Sequence, residues 1–133
     1  MKTAVVAIET PERNVKKIAV SVCSDERACA AVDAHFGRAP FFVVVCGEDD
    51  IVECTTPNDA AQAGLGAGTR AASAMIALSV TDVISGQFGP KAREVLEKQG
   101  VRLWTASTEM TAGEAVAAFR DGELARFRLK VYG

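Results

Sequence analysis

Apolar residues at strand spacing dominate the first half of the chain. Lys17–Val22 predicts the first strand, and Phe41–Cys46 is apolar throughout, as in a strand that is buried on both faces. Turn residues at 47–50 separate this second strand from a further one at 51–55, a spacing typical of a β-hairpin. The front half therefore predicts antiparallel strands, with a short helical turn between the first two at Ala28–Val32.

The apolar period changes after a predicted turn at 56–59 and a small-residue loop at 60–68. Apolar positions from Thr69 to Ser79 form one helical stripe, and Pro90 begins a second helix that ends at Gln99, before Gly100. Strands are predicted at 83–85 and 101–104, and a last helix at 112–120. Because two strands around a helix pair in parallel, the chain predicts an α/β fold: a mixed sheet of about five strands flanked by helices.

Composition places the chain among ordinary globular proteins. Its 133 residues, 49% apolar and 24% charged, suit a single domain at 16–133, preceded by an N-terminal extension at 1–15 in which Thr3–Ile8 has the composition of a strand. The net charge of −2 and the lack of a Lys/Arg cluster argue against nucleic-acid binding. No run approaches the ~20 apolar residues of a membrane span. The first apolar run is too short for a signal peptide, so we expect a cytoplasmic protein without a membrane partner.

The only histidine, His35, lies in a polar segment between Asp33 and Arg38, directly ahead of the second predicted strand. Gly37 removes side-chain bulk where the chain turns, and Pro40 restricts the backbone before the strand. Histidine offers a neutral nitrogen ligand or a proton near neutral pH. Local spacing leaves two interpretations open, a ligand or proton donor and a histidine that only caps a turn.

Four cysteines are too few to cross-link a chain of this size. Cys46 and Cys54 fall in or at the ends of apolar strands and are interpreted as small core or edge residues. Cys23 and Cys29 lie in a polar segment and form a Cys-x5-Cys-x5-His pattern with His35. That spacing is not typical of a zinc finger, so the two thiols are interpreted either as soft ligands or as structural residues.

Three motifs in order resemble the dinitrogenase iron–molybdenum cofactor biosynthesis family, which includes NifX-type carriers and the orange protein. They are His35–Phe42 after the first strand, Gly64–Gly68 at the start of a helix, and Val83–Pro90 followed by Leu96-x3-Gly100-Val101. The resemblance covers residues 16 to 125. It implies a ribonuclease-H-like three-layer fold and a carrier, not an enzyme, that transiently binds a metal–sulfur cluster during cofactor assembly.

The cargo implied by the resemblance is an iron–molybdenum cofactor precursor, as in nitrogen fixation, or a molybdenum–copper sulfide cluster. Its partners would be cluster donor and acceptor proteins, and the chain would be a monomer or weak dimer. His35 matches the family's histidine, a cluster ligand, and Arg38 the arginine that pairs with an anionic cluster. The expected cofactor-binding residues are His35, Phe36, Gly37, Arg38, Gly64, Gly66, Gly68, Gly86 and Gly89, with His35, Cys23 and Cys29 as metal ligands.

The chain departs from the family pattern in two places. Residues 58–63 lack the further histidines or longer glycine run of many relatives, and the segment from Cys23 to Ala34 is longer than usual. These departures keep a regulatory or scaffold module that binds a partner protein as an alternative.

An enzyme is the other alternative, with Asp33 and His35 as an acid–base pair and Cys29 or Ser24 as nucleophile. Nuclease chemistry needs several carboxylates around a divalent metal. The predicted core strands carry none, which argues against a nuclease.

Overall fold

A computed structural model describes residues 16–46, 51–58 and 66–126, with residues 51–54 described by their backbone only. The predicted N-terminal extension, the turn at 47–50 and residues 60–65 of the predicted loop lie outside these ranges.

Six strands form one mixed sheet in the part of the chain that is described. They are β1 (Lys17–Val22), β2 (Phe41–Cys46), β3 (Ile51–Pro57), β4 (Asp82–Ser85), β5 (Arg102–Thr105) and β6 (Ala125–Arg126). Their order across the sheet is β3-β2-β1-β4-β5-β6. β1, β2 and β3 pair antiparallel, as the hairpin pattern predicts. β4 pairs in parallel with both β1 and β5, and β6 returns antiparallel to β5.

Three helices cover the two faces of the sheet. α1 (Ala67–Ala77) and α2 (Pro90–Lys98) pack on one face, where Met75 and Leu96 share a core with Ala19 of β1. α3 (Ala112–Arg120) packs on the other face, where Val116 meets Ile18. Successive side chains of β1 enter opposite cores because a strand alternates its faces. The predicted three-layer α/β fold, ribonuclease-H-like in the family resemblance, is confirmed.

Two short 3₁₀ turns lie between β1 and β2. The first spans Arg27–Cys29 and the second Phe36–Arg38, within the histidine motif. The predicted helical turn at Ala28–Val32 is wrong in its second half. There Ala31 and Val32 form isolated bridges with Thr111 and Val22, so their backbone is extended.

The sheet departs from the prediction in strand number and in the length of β3. The expected five strands become six because Ala125 and Arg126 pair with Thr105 and Trp104. The turn predicted at 56–59 is wrong at its start, since Thr56 and Pro57 belong to β3 and pair with β2. Pro57 is compatible with β3 because β3 is the last strand of the described sheet on that side.

The helix boundaries differ from the predictions by a few residues. α1 begins at Ala67 and ends at Ala77, whereas the apolar stripe predicts 69–79. α2 ends at Lys98, one residue before the predicted end, and α3 has the predicted limits. No helix in the described ranges combines the length and apolar character needed to cross a membrane.

A buried carboxylate lies at the amino end of β4. Asp82 belongs to this strand and has no exposed surface, so the expectation that the core strands carry no carboxylate is wrong. Its oxygens accept hydrogen bonds from Arg102, Trp104 and Thr81 at 2.7 to 3.3 Å. A cation and two neutral donors therefore satisfy Asp82 inside the protein.

Candidate functional site

The histidine motif lies beside the residues that follow β4. The His35 N–H donates to Asp33 Oδ1 at 2.9 Å, and His35 forms a parallel bridge with Gln87. The Phe36 N–H donates to the Gln87 carbonyl at 3.1 Å. These contacts use the backbone of His35, so its exposed side chain is available to a ligand.

Two buried serines support this junction from inside the sheet. The hydroxyls of Ser21, in β1, and Ser85, in β4, lie 2.8 Å apart, and neither residue has exposed surface. Ser21 Oγ is 3.2 Å from the Asp33 carbonyl oxygen, and Ser85 Oγ is 3.3 Å from that of Gln87. The serine pair thus connects the carboxyl ends of two parallel strands to the two segments of the site.

Close backbone approaches explain two of the motif glycines. A Cβ on Gly37 would lie 2.8 Å from Gly68 Cα, in the first turn of α1. A Cβ on Gly86 would lie 2.8 Å from both Cα and the carbonyl oxygen of Ala34. Contacts this short exclude a side chain, so the glycines let three chain segments meet through their backbones.

The segments enclose a cleft of about 490 Å³. It contains most of the predicted cofactor-binding residues together with residues from the starts of α1 and α2. Its lining consists of His35, Phe36, Gly37, Arg38, Gly66, Ala67, Gly68, Gln87, Phe88, Gly89 and Pro90. The three sequence motifs therefore contribute to one concave surface at the carboxyl end of the parallel strands, as expected for a sheet of this type.

Two helices begin at this cleft without capping side chains. Gly66 precedes α1 with a left-handed φ of 87°, and Gly89 precedes α2; neither helix has a side-chain cap or an acidic residue in its first turn. α3 instead begins with a capping box, in which the Thr111 and Glu114 side chains bond to each other's backbone N–H. The first N–H groups of a helix lack intrahelical acceptors and carry partial positive charge, so both starts favour an anion.

The charged side chain in the cleft is also positive, like the helix starts. Arg38 supplies the permanent side-chain charge among the described lining residues, which include no carboxylate, and His35 adds an imidazole. Phe36 and Phe88, the aromatic residues of the lining, pack at 5.4 Å between ring centroids, and Phe36 contacts Phe42 at 5.3 Å. The described residues therefore form a positively polarised cleft with an aromatic base.

The two candidate cysteine ligands have different surroundings. Cys23 lies within the motif's hydrogen-bond network, because its thiol donates to Asp33 Oδ2 at 3.5 Å. Burial, the Asp33 charge and this hydrogen bond together raise the pKa of the Cys23 thiol. Cys29 lies in the 3₁₀ turn Arg27–Cys29, and both cysteines are exposed. Within the described residues, no three His, Cys, Asp or Glu side chains are grouped as metal ligands.

The other predicted glycines are placed as follows. Gly66 and Gly68 line the cleft at the start of α1, and Gly89 lines it before α2. Gly86 is one residue outside the lining, and its N–H donates to the Asp33 carbonyl at 3.2 Å. Gly64 lies outside the described residues.

Two further depressions lack the predicted site residues. One of about 360 Å³ lies between the end of β3 and α1, with Phe42, Met75 and Leu78 in its lining. The other, of about 500 Å³, lies along α2 and is lined mainly by its charged side chains. Neither contains His35 or Arg38, so the cleft is the candidate site.

Two residues that shape the site were not among its predicted residues. Gln87 lines the cleft and pairs with His35, and in the sequence only its place within the motif Val83–Pro90 associates it with the site. Asn58 does not line the cleft; its sequence context predicts a turn, whereas its side chain is buried and donates to carbonyls of the histidine motif. A buried asparagine after an edge strand gives no distinctive local pattern, so only the tertiary contacts identify it.

Comparisons with known proteins identify the family and the fold. The sequence profile of the family described as dinitrogenase iron–molybdenum cofactor matches residues 16–122. An uncharacterized protein of Methanocaldococcus jannaschii is 32% identical over 100 residues, which cover 70% of this chain and 80% of the relative.

Solved structures show the same fold. The apo orange protein of Desulfovibrio gigas superposes with a TM-score of 0.78 at 29% identity, covering 84% of this chain and 92% of that protein. A Thermotoga protein described as NifB superposes with a TM-score of 0.73 at 25% identity, covering 89% of this chain and 99% of that protein.

Proposed function

The chain belongs to the dinitrogenase iron–molybdenum cofactor family, and on this premise we propose that it carries an anionic metal–sulfur cluster during metallocofactor assembly. The cargo is a precursor of the iron–molybdenum cofactor or another molybdenum-containing sulfide cluster. The chain receives it from a donor protein and releases it to an acceptor protein.

One observation carries the proposal: His35 and Arg38 converge with two uncapped helix starts on a single cleft. Metal–sulfide clusters are anionic, and their metals accept nitrogen ligands. The imidazole of His35 supplies one such ligand, while the Arg38 guanidinium and the helix N–H groups neutralise charge on the sulfides.

The donor set also suits a cargo that must be released. Iron–sulfur clusters that remain in a protein are held by several cysteine thiolates. Here neither Cys23 nor Cys29 is among the described residues that line the cleft, and the Cys23 thiol is hydrogen-bonded to Asp33. A single imidazole with hydrogen-bond donors provides the weaker, exchangeable binding that a carrier needs.

The contacts of Asp33 and Asp82 argue against the enzyme alternatives. An acid–base pair requires the Asp33 carboxylate to orient the His35 ring. The Asp33 oxygens instead accept hydrogen bonds from the His35 backbone N–H and the Cys23 thiol. Asp82 is bonded to Arg102 and Trp104 at the amino end of β4, opposite the end that the cleft occupies. Neither carboxylate is arranged for hydrolysis at the cleft.

The decisive experiment joins cargo analysis to a binding titration. Protein purified without oxygen from its native host is analysed for iron, molybdenum and acid-labile sulfide, and apo protein is titrated with tetrathiomolybdate. We expect Arg38→Gln to raise the Kd at least about tenfold, since a hydrogen bond to a charged group contributes about 1.5–3 kcal/mol. His35→Ala, which removes the nitrogen ligand, should also raise the Kd at least about tenfold.

Lys98→Gln is the matched control for Arg38→Gln, because it removes one positive charge at the far end of α2. His35→Ala should leave the circular dichroism spectrum unchanged, since the structural contacts of His35 are made by its backbone. The proposal is contradicted if purified protein contains no metal and apo protein does not bind the thiometallate. It is also contradicted if both site variants bind as the wild type does. Those results would favour a partner-binding module.

A further inference from the structure

Asn58 follows β3 and lies behind the histidine motif. It is 8% exposed and is one of only a few buried polar residues in the described ranges. It does not line the cleft but faces the neighbouring groove between β3 and α1. A buried carboxamide that does not contact the ligand site needs another reason to be there, because burying it unpaired costs free energy.

Three hydrogen bonds from Asn58 converge on one short segment. Its Nδ2 donates to the Gly37 carbonyl at 3.2 Å and to the Ala39 carbonyl at 2.8 Å. Its backbone N–H donates to the Pro40 carbonyl at 2.9 Å. Both N–H bonds of the carboxamide therefore have acceptors within a four-residue stretch that follows His35.

This stretch contains Arg38 and begins two residues after His35, and these are the two side chains that the proposed function requires. Phe36–Arg38 is a single 3₁₀ turn. The hydrogen bond that closes this turn runs from the Arg38 N–H to the His35 carbonyl, at 3.2 Å. Short 3₁₀ turns have poor hydrogen-bond geometry, so this single internal bond does little to hold the turn. Asn58, which is distant in sequence, adds donors to the Gly37 carbonyl of the turn and to the Ala39 and Pro40 carbonyls that follow it.

We propose that Asn58 is a positioning residue, which orients His35 and Arg38 toward the cargo by binding the carbonyl groups of Gly37, Ala39 and Pro40. The same hydrogen bonds pair the Gly37 and Ala39 carbonyl oxygens with Asn58 behind the turn. The partial negative charges of these oxygens therefore do not face an anionic ligand. This inference rests on the proposed function for the identity of the cargo, but not for the geometry of the turn.

The test compares Asn58→Ala with Trp104→Phe. Each variant removes the side-chain N–H donor of a hydrogen bond within the protein. The hydrogen bond lost in Trp104→Phe is to Asp82, at the opposite end of the sheet, so this variant is the control. We expect Asn58→Ala to raise the Kd for tetrathiomolybdate about tenfold, and Trp104→Phe to leave it unchanged. Equal affinities of the two variants would overturn the inference.

Amide hydrogen exchange measured without ligand separates positioning from a general loss of stability. In Asn58→Ala the Arg38 amide should exchange at least about tenfold faster than in the wild type. The exchange rates of the β2 amides should change no more than they do in Trp104→Phe. An unchanged Arg38 amide would overturn the inference. If Asn58→Ala does not fold, Asn58→Ser retains one donor, and the same two measurements should show smaller shifts in the same direction.

The exchange measurement also distinguishes this inference from the proposed function. A wild-type chain that binds no thiometallate contradicts the carrier proposal. The exchange rate of the Arg38 amide still decides whether Asn58 holds the turn.

Discussion

The residues in and beside the cleft differ in what they contribute. His35 and Arg38 contribute side chains to its lining, whereas Gly37, in the lining, and Gly86, next to it, allow chain segments to approach because they have no side chain. Substitution at the first pair should change binding with little effect on folding. Substitution at the second pair should change the distance between chain segments, and therefore stability.

Gly86 and Gly89 provide a direct test of the close approach. Gly86→Ala places a methyl group 2.8 Å from Ala34 backbone atoms, whereas a Cβ at Gly89 meets nothing within 4 Å. We expect Gly86→Ala to lower the free energy of unfolding by about 1–3 kcal/mol, the usual cost of overpacking. Gly89→Ala should lower it by less than about 1 kcal/mol. Urea unfolding measures both, and equal losses would contradict the explanation.

The raised pKa of Cys23 predicts the pH dependence of its alkylation. Burial first and Asp33 second disfavour the thiolate, so at a given pH less of Cys23 is reactive than in an unperturbed thiol. Asp33→Asn removes the negative charge and should move the iodoacetamide rate profile of Cys23 to lower pH, with a several-fold faster reaction near pH 8. Mass spectrometry follows Cys23, and Cys29 in the same molecule is the control. An unmoved profile would show that Asp33 does not influence the thiol.

At the scale of elements, the ends of the helices differ in chemistry. α3 begins with a complete capping box, while α1 and α2 begin at glycines without side-chain caps. An N-terminal carboxylate would stabilise α1 or α2, but its negative charge would also repel an anionic cargo. The absence of acidic residues from both first turns lowers the stability of the helices. We interpret it as favouring the proposed binding of an anion.

Lys91→Glu tests this trade-off in the first turn of α2. We expect it to stabilise the protein by about 0.3–1 kcal/mol, because an acid near a helix start is favourable, and to weaken tetrathiomolybdate binding several-fold. Lys98→Glu makes the same charge change about 10 Å farther along the helix, beyond the Debye length of about 8 Å at physiological salt. Thermal unfolding and titration measure the two effects. A similar loss of affinity in both variants would indicate a general charge effect.

At the scale of the whole molecule, the buried Asp82 network and the candidate cleft lie at opposite ends of the parallel strands. The Asp82 network lies at the amino end of β4, and the cleft follows its carboxyl end. Side chains can therefore be optimised for packing at one end without changing the ligand contacts at the other.

Asp82→Asn should separate these two properties. Replacing the carboxylate weakens its contacts with Arg102 and Trp104, and we expect a loss of about 1–3 kcal/mol in the free energy of unfolding. The affinity of the folded protein for tetrathiomolybdate should stay within about twofold of the wild type, because the cleft does not contact this network. Chemical denaturation and titration at a temperature well below the unfolding transition check both statements. A large loss of affinity would mean that the two ends are coupled.

Local pattern predicted β1, β2 and α3 with their observed limits. β2 is apolar throughout, and α3 has both an apolar stripe and a capping pair, so short-range signals define their ends. The same reasoning failed at Pro57, where pairing with β2 outweighs the turn preference, and at Asp82, where three partners make a strand carboxylate acceptable. These outcomes depend on residues distant in the chain, and a single-sequence pattern does not contain them.

The sequence by itself determined the α/β layers, the family and the motif residues His35 and Arg38, because periodicity and motif order are properties of consecutive residues. Only the tertiary structure brought the histidine motif, Gly68 and Gln87 to one cleft and placed Asn58 behind it. The physical reason is that the close backbone approaches at Gly37 and Gly86, and hydrogen bonds between residues about twenty positions apart, exist only once the sheet has ordered its strands. Residue types therefore indicated the candidate chemistry, and strand order decided which of these residues lie together in the cleft.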